Sequence, residues 1–152
     1  MIKKFIALLL LGLFGFSTFL FAGTGEISNT ARVLILSVNL SQDSIAFGDL
    51  EMGATTTDSI VVSNLGNQSV DIMLSGQDTS DWTLSETQGT EEYVNAYDLG
   101  GTDWKNLTTS YGTTTQMLSG ATSTLNFLLG VPTLTTATGE QSWTNTLLFV
   151  AQ

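Results

Sequence analysis

One stretch of this chain decides its fold class: Ser123-Thr124-Leu125-Asn126-Phe127-Leu128-Leu129-Gly130-Val131. Apolar residues recur at every second position of this stretch, at Leu125, Phe127, Leu129 and Val131. Side chains two residues apart lie on the same face of a β-strand. The stretch therefore predicts a strand with one face in a core. No segment after residue 22 has the spacing of an amphipathic helix.

Shorter segments of the same kind flank this strand on both sides. Glycine, asparagine and serine separate these segments, and threonine and other β-branched residues are abundant within them. β-Branched residues favour strands, whereas the small polar residues favour turns. Eight or so short strands without helices are typical of two packed antiparallel sheets. We therefore predict an all-β fold, an antiparallel β-sandwich that forms one domain from residue 32 to residue 152.

The clearest turn signal lies in the first half of this domain. Asn64-Leu65-Gly66-Asn67-Gln68 contains glycine and asparagine, which tolerate positive φ and favour hairpin turns. Val70 to Ser75 follows with alternating apolar residues. These segments predict a β-hairpin. A further short strand is predicted from Ser44 to Gly48, with Ile45 and Phe47 facing inward.

The first and last predicted strands differ from the others because both of their faces are apolar. The first runs from Arg32 to Leu40 and the last from Ser142 to Ala151. A strand with two apolar faces is either covered on both sides within its own domain or paired with a neighbouring molecule. Both interpretations stay open for the first strand. The second interpretation makes an inter-subunit strand of Val33, Leu34, Ile35, Leu36 and Val38.

Residues 1–22 have the composition of a secretory signal. Lys3 and Lys4 precede an uncharged, nearly all-apolar run from Phe5 to Ala22, and small residues follow Ala22. A retained membrane anchor is the alternative, since about 18 apolar residues are borderline for spanning a bilayer. We predict a signal peptide at residues 1–22, an extended segment at residues 23–31, and a protein that is secreted, extracellular or on the cell surface.

The composition excludes several classes of function. The chain has no cysteine and no histidine, which removes thiol catalysis, the serine–histidine–aspartate triad and the usual zinc ligands. After residue 22 only Arg32 and Lys105 are cationic, against 14 carboxylates, so the mature charge is about −12. Such a surface repels nucleic acid and anionic lipid. We therefore predict a protein that is not an enzyme and that, once mature, binds neither nucleic acid nor a membrane.

Three kinds of side chain are candidate ligand sites. Loop carboxylates suit calcium, but they do not follow the EF-hand pattern, and we favour the interpretation that they are solvated loop residues and that the protein has no cofactor. These residues are Asp78, Asp81, Glu86, Glu91, Glu92, Asp98 and Asp103. Trp104 lies among polar residues, where an exposed ring could stack on a surface glycan, although aromatic residues in strands more often belong to a core. The acceptor pattern for N-glycosylation occurs at Asn39, Asn67 and Asn106.

Two parts of the chain resemble a known family. Ile45-Ala46-Phe47-Gly48-Asp49-Leu50, then Gly53 and Ile60 to Asn67, resemble the opening of abnormal-spindle/hydin-type immunoglobulin-like domains. Residues 125–127, Val131-Pro132, Gly139 and residues 145–149 look like the closing half of secreted immunoglobulin-like domains. The resemblance covers about half of the mature chain, and residues 85–118 match no such pattern. It implies an immunoglobulin-like β-sandwich with a structural or adhesive role and no catalytic residues.

Together these features predict a secreted, non-enzymatic structural protein. We expect a homo-oligomer or polymer, the subunit of an extracellular filament or surface layer, in which the N-terminal strand is donated to the neighbouring subunit. The alternative is a carbohydrate-binding or adhesive β-sandwich module. An exported hydrolase that relies on carboxylates alone is the weakest hypothesis.

Overall fold

The computed structural model describes residues 32–152, which form nine β-strands and no helix. The predicted all-β class is therefore confirmed, and none of these residues belongs to a helix that could cross a membrane. The predicted signal peptide at residues 1–22 and the extended segment at residues 23–31 lie outside the described residues. In chain order the strands are β1 (Val38–Leu40), β2 (Thr55–Asn64), β3 (Val70–Ser75), β4 (Thr83–Ser85), β5 (Glu92–Leu99), β6 (Lys105–Asn106), β7 (Gly112–Met117), β8 (Thr122–Gly130) and β9 (Thr146–Ala151).

These strands form two sheets. In the six-stranded sheet the order is β1-β2-β8-β5-β4, and β6 also pairs with β5. The three-stranded sheet has the order β7-β3-β9. β8 is central because it pairs antiparallel with both β2 and β5, so that Phe127 lies opposite Asp58 on one side and Tyr97 on the other. The outer strands of the three-stranded sheet are β7 and β9.

The two sheets share one hydrophobic core. From β8 of the larger sheet, Leu125 and Phe127 point into it and are at most 3% exposed. From the smaller sheet, β3 contributes the fully buried side chains of Val70, Ile72 and Leu74. Burying one such side chain contributes about 1.5–3 kcal/mol. The alternation predicted for both segments therefore describes the residues that hold the two sheets together.

The predicted hairpin is wrong, because β2 and β3 lie in different sheets. The chain leaves the larger sheet at Asn64, whose side chain is fully buried. Its Nδ2 donates to the carbonyl oxygens of Gln68 (2.8 Å) and Leu118 (3.1 Å), and its Oδ1 accepts the N–H of Gly66 (3.0 Å). One side chain thus satisfies backbone groups that strand pairing would satisfy in a hairpin.

The predicted strand from Ser44 to Gly48 joins neither sheet. Its side chains do face inward as predicted, since Ile45 and Phe47 pack against the core. The ring of Phe47 also stacks on Trp143, with centroids 5.9 Å apart and planes 9° apart. This segment therefore covers part of the core with its side chains, while its backbone adds no strand to the adjacent sheets.

One strand pair departs from the predicted antiparallel arrangement. β4 runs parallel to β5, with Leu84 opposite Tyr93. The short loop between them ends at Glu91, whose φ of 55° lies in the left-handed region. The Glu91 carboxylate accepts hydrogen bonds from the Thr135 hydroxyl and the Thr136 N–H, each at 2.6 Å. These bonds stabilise the turn at Glu91. After this turn, β5 begins beside β4 and runs in the same direction as β4.

Replacing Asn64 with alanine should destabilise the fold strongly. The substitution removes the hydrogen bonds that Asn64 makes in a buried site, two donated to the carbonyl oxygens of Gln68 and Leu118 and one accepted from the Gly66 N–H, which costs roughly 2–4 kcal/mol. Urea denaturation should show this loss in the free energy of unfolding. The control is Asn39→Ala, at an exposed position of β1, where we expect a change below about 0.5 kcal/mol. Equal stability of the two variants would contradict the role assigned to Asn64.

Candidate functional site: an exposed apolar segment

Four consecutive large apolar residues lie in solvent immediately before β1. The exposed fractions are 76% for Val33, 67% for Leu34, 51% for Ile35 and 52% for Leu36. A run of this kind is unfavourable in a soluble domain unless it serves an interface. We call residues Val33–Ser37 the apolar segment. It contains four of the five residues that the sequence predicts for an inter-subunit strand.

The fifth predicted residue, Val38, belongs to the fold itself. The regular strand covers only Val38–Leu40 of the predicted strand from Arg32 to Leu40. There Val38 pairs with Asn64 of β2 and packs against the core. The predicted strand is therefore divided: its last three residues pair within the domain, and the preceding apolar residues do not enter the core.

One side of the backbone of the apolar segment is bound to the connection between β2 and β3. The carbonyl oxygen of Ser37 accepts the N–H groups of Leu65 (2.8 Å) and Gly66 (3.1 Å), and the carbonyl oxygen of Ile35 accepts the N–H of Asn67 (3.1 Å). These bonds fix the path of the segment although its side chains remain in water.

The side chain of Asn67 adds two further bonds to the same side of the segment. Its Oδ1 accepts the N–H of Ile35 at 2.9 Å, and its Nδ2 donates to the carbonyl oxygen of Val33 at 2.7 Å. An asparagine side chain can make both contacts at once because its amide has a donor and an acceptor group. The Asn67 side chain thus makes hydrogen bonds to the segment that the backbone of a neighbouring strand would make in a sheet.

The other side of the segment's backbone has no partner within residues 32–152. All of the bonds above involve Val33, Ile35 and Ser37, which alternate with Leu34 and Leu36. In an extended chain the backbone groups of successive residues point to opposite sides. The N–H and C=O groups of Leu34 and Leu36 make no hydrogen bond to the described part of the chain. The apolar segment therefore has the exposed edge that can accept a strand from another molecule.

Gly66 permits the close approach of the segment to this connection. A Cβ atom at Gly66 would overlap the carbonyl oxygen of Ile35. The sequence pattern suggested a different reason for this glycine, namely a positive φ in a hairpin turn. Neither Gly66 nor Asn67 has a positive φ, so these residues are required here for contact with the apolar segment. Sequence reasoning missed both roles because the contacted residues lie more than 30 positions away.

The predicted glycan-stacking residue stands apart from the other tryptophans. Trp104 is 41% exposed, next to the short strand β6. Trp82 and Trp143 instead pack around the buried ring of Tyr93, with centroids 6.2 and 5.4 Å from it. These aromatic residues belong to the core, as large aromatic residues in strands usually do. The stacking role of Trp104 stays a prediction.

The acidic residues that the sequence offers as candidate calcium ligands do not converge in the part of the chain that the structure describes. No three acidic side chains come together there in a group that could hold a metal ion. Asp98, which is 5% exposed, accepts the N–H groups of Gly101 (3.0 Å) and Asp103 (3.3 Å). Glu91 binds Thr135 and Thr136, and these hydrogen bonds lower the pKa of its carboxyl group. Two of these candidate residues, Asp98 and Glu91, therefore stabilise loops.

The three glycosylation acceptor positions differ in accessibility. Asn39 is exposed on β1, and Asn106 is exposed on β6, where its Nδ2 donates to the carbonyl oxygen of Glu86 at 3.1 Å. Asn67 uses both ends of its side-chain amide to hold the apolar segment. A glycan on Asn67 would remove these contacts, so of the three it is the least compatible with the observed structure.

No family model matches this chain, and no curated protein sequence matches it either. The resemblance to abnormal-spindle/hydin-type domains accordingly stays an expectation.

Substitution of Asn67 by alanine should release the apolar segment without unfolding the domain. The change removes both side-chain bonds to the segment, so hydrogen exchange at the Ile35 amide should accelerate by about tenfold or more, in line with a lost hydrogen bond of roughly 1.5 kcal/mol. Amides of β8 should keep their protection. Gln68→Ala is the control, because the Gln68 side chain donates to the Asn67 carbonyl oxygen and makes no hydrogen bond to the segment among the described residues. Equal exchange at Ile35 in both variants would show that Asn67 does not hold the segment.

Glu91 should contribute to stability at neutral pH more than in acid. Its folded-state pKa lies below 4.5 because the carboxylate accepts hydrogen bonds from Thr135 and Thr136. The stabilisation is therefore present above pH 4.5 and is lost as the pH falls through the lowered pKa. The difference in unfolding free energy between wild type and Glu91→Gln should shrink as the pH falls from about 7 to about 3. A difference that is constant over this range would refute the assignment, and Glu140→Gln serves as an exposed control.

Proposed function

We propose that this protein is a secreted, non-enzymatic structural subunit that assembles into an extracellular filament or surface layer. The observation that supports this proposal is the apolar segment, with four exposed apolar side chains and one backbone side that has no partner among residues 32–152. In this proposal each subunit donates the segment to its neighbour, and the domain is an immunoglobulin-like β-sandwich. The protein is a homo-oligomer or polymer at the cell surface or outside the cell.

Burial of the segment provides the driving force for assembly. Each of its four apolar side chains is at least half exposed, and covering them would contribute roughly 1 kcal/mol or more for each. Pairing of the backbone groups of Leu34 and Leu36 adds specificity, because it fixes the register of the segment against the strand of the neighbouring subunit. Association of two rigid bodies loses several kcal/mol of translational and rotational freedom. The side chains and the backbone must therefore act together.

The position of the segment favours an open assembly. It directly precedes β1, which is an edge strand of the larger sheet. A subunit that donates this edge to a different surface of its neighbour makes a head-to-tail contact. Such contacts repeat without closing unless the rotation between subunits returns to the start, and they then produce fibres. The acidic surface opposes lateral aggregation, since like charges repel.

Removal of two apolar side chains from the segment should weaken assembly strongly. The double variant Leu34→Ser/Leu36→Ser removes on the order of 2 kcal/mol of burial, which corresponds to roughly 30-fold weaker association. Sedimentation velocity and negative-stain microscopy of the exported protein measure this change. The matched control is Leu118→Ser/Leu134→Ser, which replaces two exposed leucines outside the segment and should leave assembly unchanged. A wild-type protein that stays monomeric at all concentrations, or equal assembly of both variants, would refute the proposal.

A further inference from the structure

The smaller sheet has an unpaired edge beside a groove that leads to the core. β9 pairs only with β3 within the described residues, so its outer edge carries no ladder. A partly open groove of about 320 Å³ lies beside the start of β9. Apolar side chains from both sheets and from the segment after β1 line it, including Leu40, Ile45, Phe47, Ile60, Phe127 and Leu147. The groove thus offers an apolar surface next to backbone groups that can pair with a further strand.

β9 has the same two-sided apolar character as the apolar segment. On one face, Leu147 and Phe149 pack against the core. On the other face, Leu148 and Val150 are 43% and 40% exposed. A strand added beside β9 therefore finds apolar neighbours for both of its faces, which stabilise it through cross-strand side-chain pairs. An amphipathic strand would satisfy only one of these faces.

The apolar segment meets this requirement. Val33 and Ile35 lie on one of its faces, and Leu34 and Leu36 lie on the other, since side chains alternate along an extended chain. The connection between β2 and β3 binds the backbone of Val33 and Ile35 within the same subunit. The backbone edge at Leu34 and Leu36 makes no hydrogen bond to the described part of the chain and can therefore pair with a second molecule. Each subunit thus carries one donor edge and one acceptor edge, in different sheets.

The charges at the two surfaces are complementary. Arg32 directly precedes the apolar segment and is one of only two cations after residue 22. Asp43 lines the groove. In a chain whose mature charge is about −12, most contacts between copies bring like charges together, which is unfavourable. A contact between the segment and the groove places one of these two cations near a carboxylate, and it is therefore less unfavourable than a contact between carboxylates alone.

We propose that the outer edge of β9 and the adjoining groove bind the apolar segment of a second copy of this chain. The segment pairs with β9 through the backbone of Leu34 and Leu36. The apolar side chains on one of its two faces fill the groove and contact Ile60 and Phe127. This acceptor site rests on the strand donation proposed above. The competing occupant is the subunit's own segment from Ser44 to Phe47, which lies beside the groove and forms no strand.

Cysteine pairs test the contact directly, because the natural chain contains no cysteine. Leu36→Cys is combined in turn with Thr144→Cys, Leu148→Cys and Val150→Cys at the proposed acceptor. The controls combine Leu36→Cys with Gln116→Cys or Leu118→Cys, at or next to β7, the opposite edge of the same sheet. Assembled protein is treated with an oxidant and with a short bis-maleimide. Denaturing electrophoresis then measures covalent dimers and higher ladders.

We expect ladders from at least one β9 pair, at a yield at least fivefold above that of both β7 controls. Filaments that crosslink equally through β7 and β9, or through β7 alone, would overturn the acceptor site and leave strand donation intact. Protein that does not assemble at all would overturn both proposals. Crosslinks confined to monomers would show that the apolar segment reaches β9 of its own subunit, and would also overturn the acceptor site.

A groove-filling variant provides an independent test without cysteine. Thr144 is exposed and lines the groove, so Thr144→Trp should fill it and reduce assembly at least tenfold, while the monomer stays folded by circular dichroism. Ser142→Trp places the same ring on an exposed neighbouring position outside the groove and should assemble like the wild type. Equal assembly of the two tryptophan variants would overturn the proposed acceptor site.

Discussion

The hydrogen bonds between the apolar segment and the connection from β2 to β3 determine how this surface is presented. They bind the backbone of Val33, Ile35 and Ser37 within the subunit, and the Asn67 side chain supplies two of them. Because backbone groups alternate along an extended chain, the same bonds turn the backbone of Leu34 and Leu36 outward. A loose tail would lose more conformational entropy on binding than this fixed edge does. The fold therefore holds the segment in the fixed conformation that the proposed interface requires.

The rest of the fold is stable without burial of the apolar segment, so that the segment can remain exposed. The core between the two sheets is complete without the segment, since its buried residues come from the strands and from loop side chains. Loss of the segment's contacts should therefore affect assembly and spare the domain. Asn64 has a different role, because its buried side-chain amide makes hydrogen bonds to backbone groups where the chain crosses from one sheet to the other. Two asparagines three positions apart thus have different roles. Asn64 stabilises the fold, and Asn67 fixes the position of the apolar segment.

The sequence predicts the local features of this protein well and its long-range contacts poorly. Alternation identifies β8 and the buried face of β3, because a strand's pattern depends only on its own residues. It does not reveal that β2 and β3 lie in different sheets. The partners of Asn67 are 32 and 34 residues away, and no local rule predicts such contacts. The two apolar faces of the first strand leave open whether it is covered within its own domain or pairs with a neighbouring molecule, and the division of this strand at Val38 emerges only from the structure.

Residue-resolved hydrogen exchange in the monomer and in the assembled state tests the central claim most directly. The Ile35 amide should be protected in both states, because its bond to Asn67 lies within the subunit. The amides of Leu34 and Leu36 should exchange rapidly in the monomer and become at least a hundredfold slower after assembly, when a neighbouring strand covers them. If these two amides exchange equally fast in both states, the apolar segment is not the strand that joins one subunit to the next.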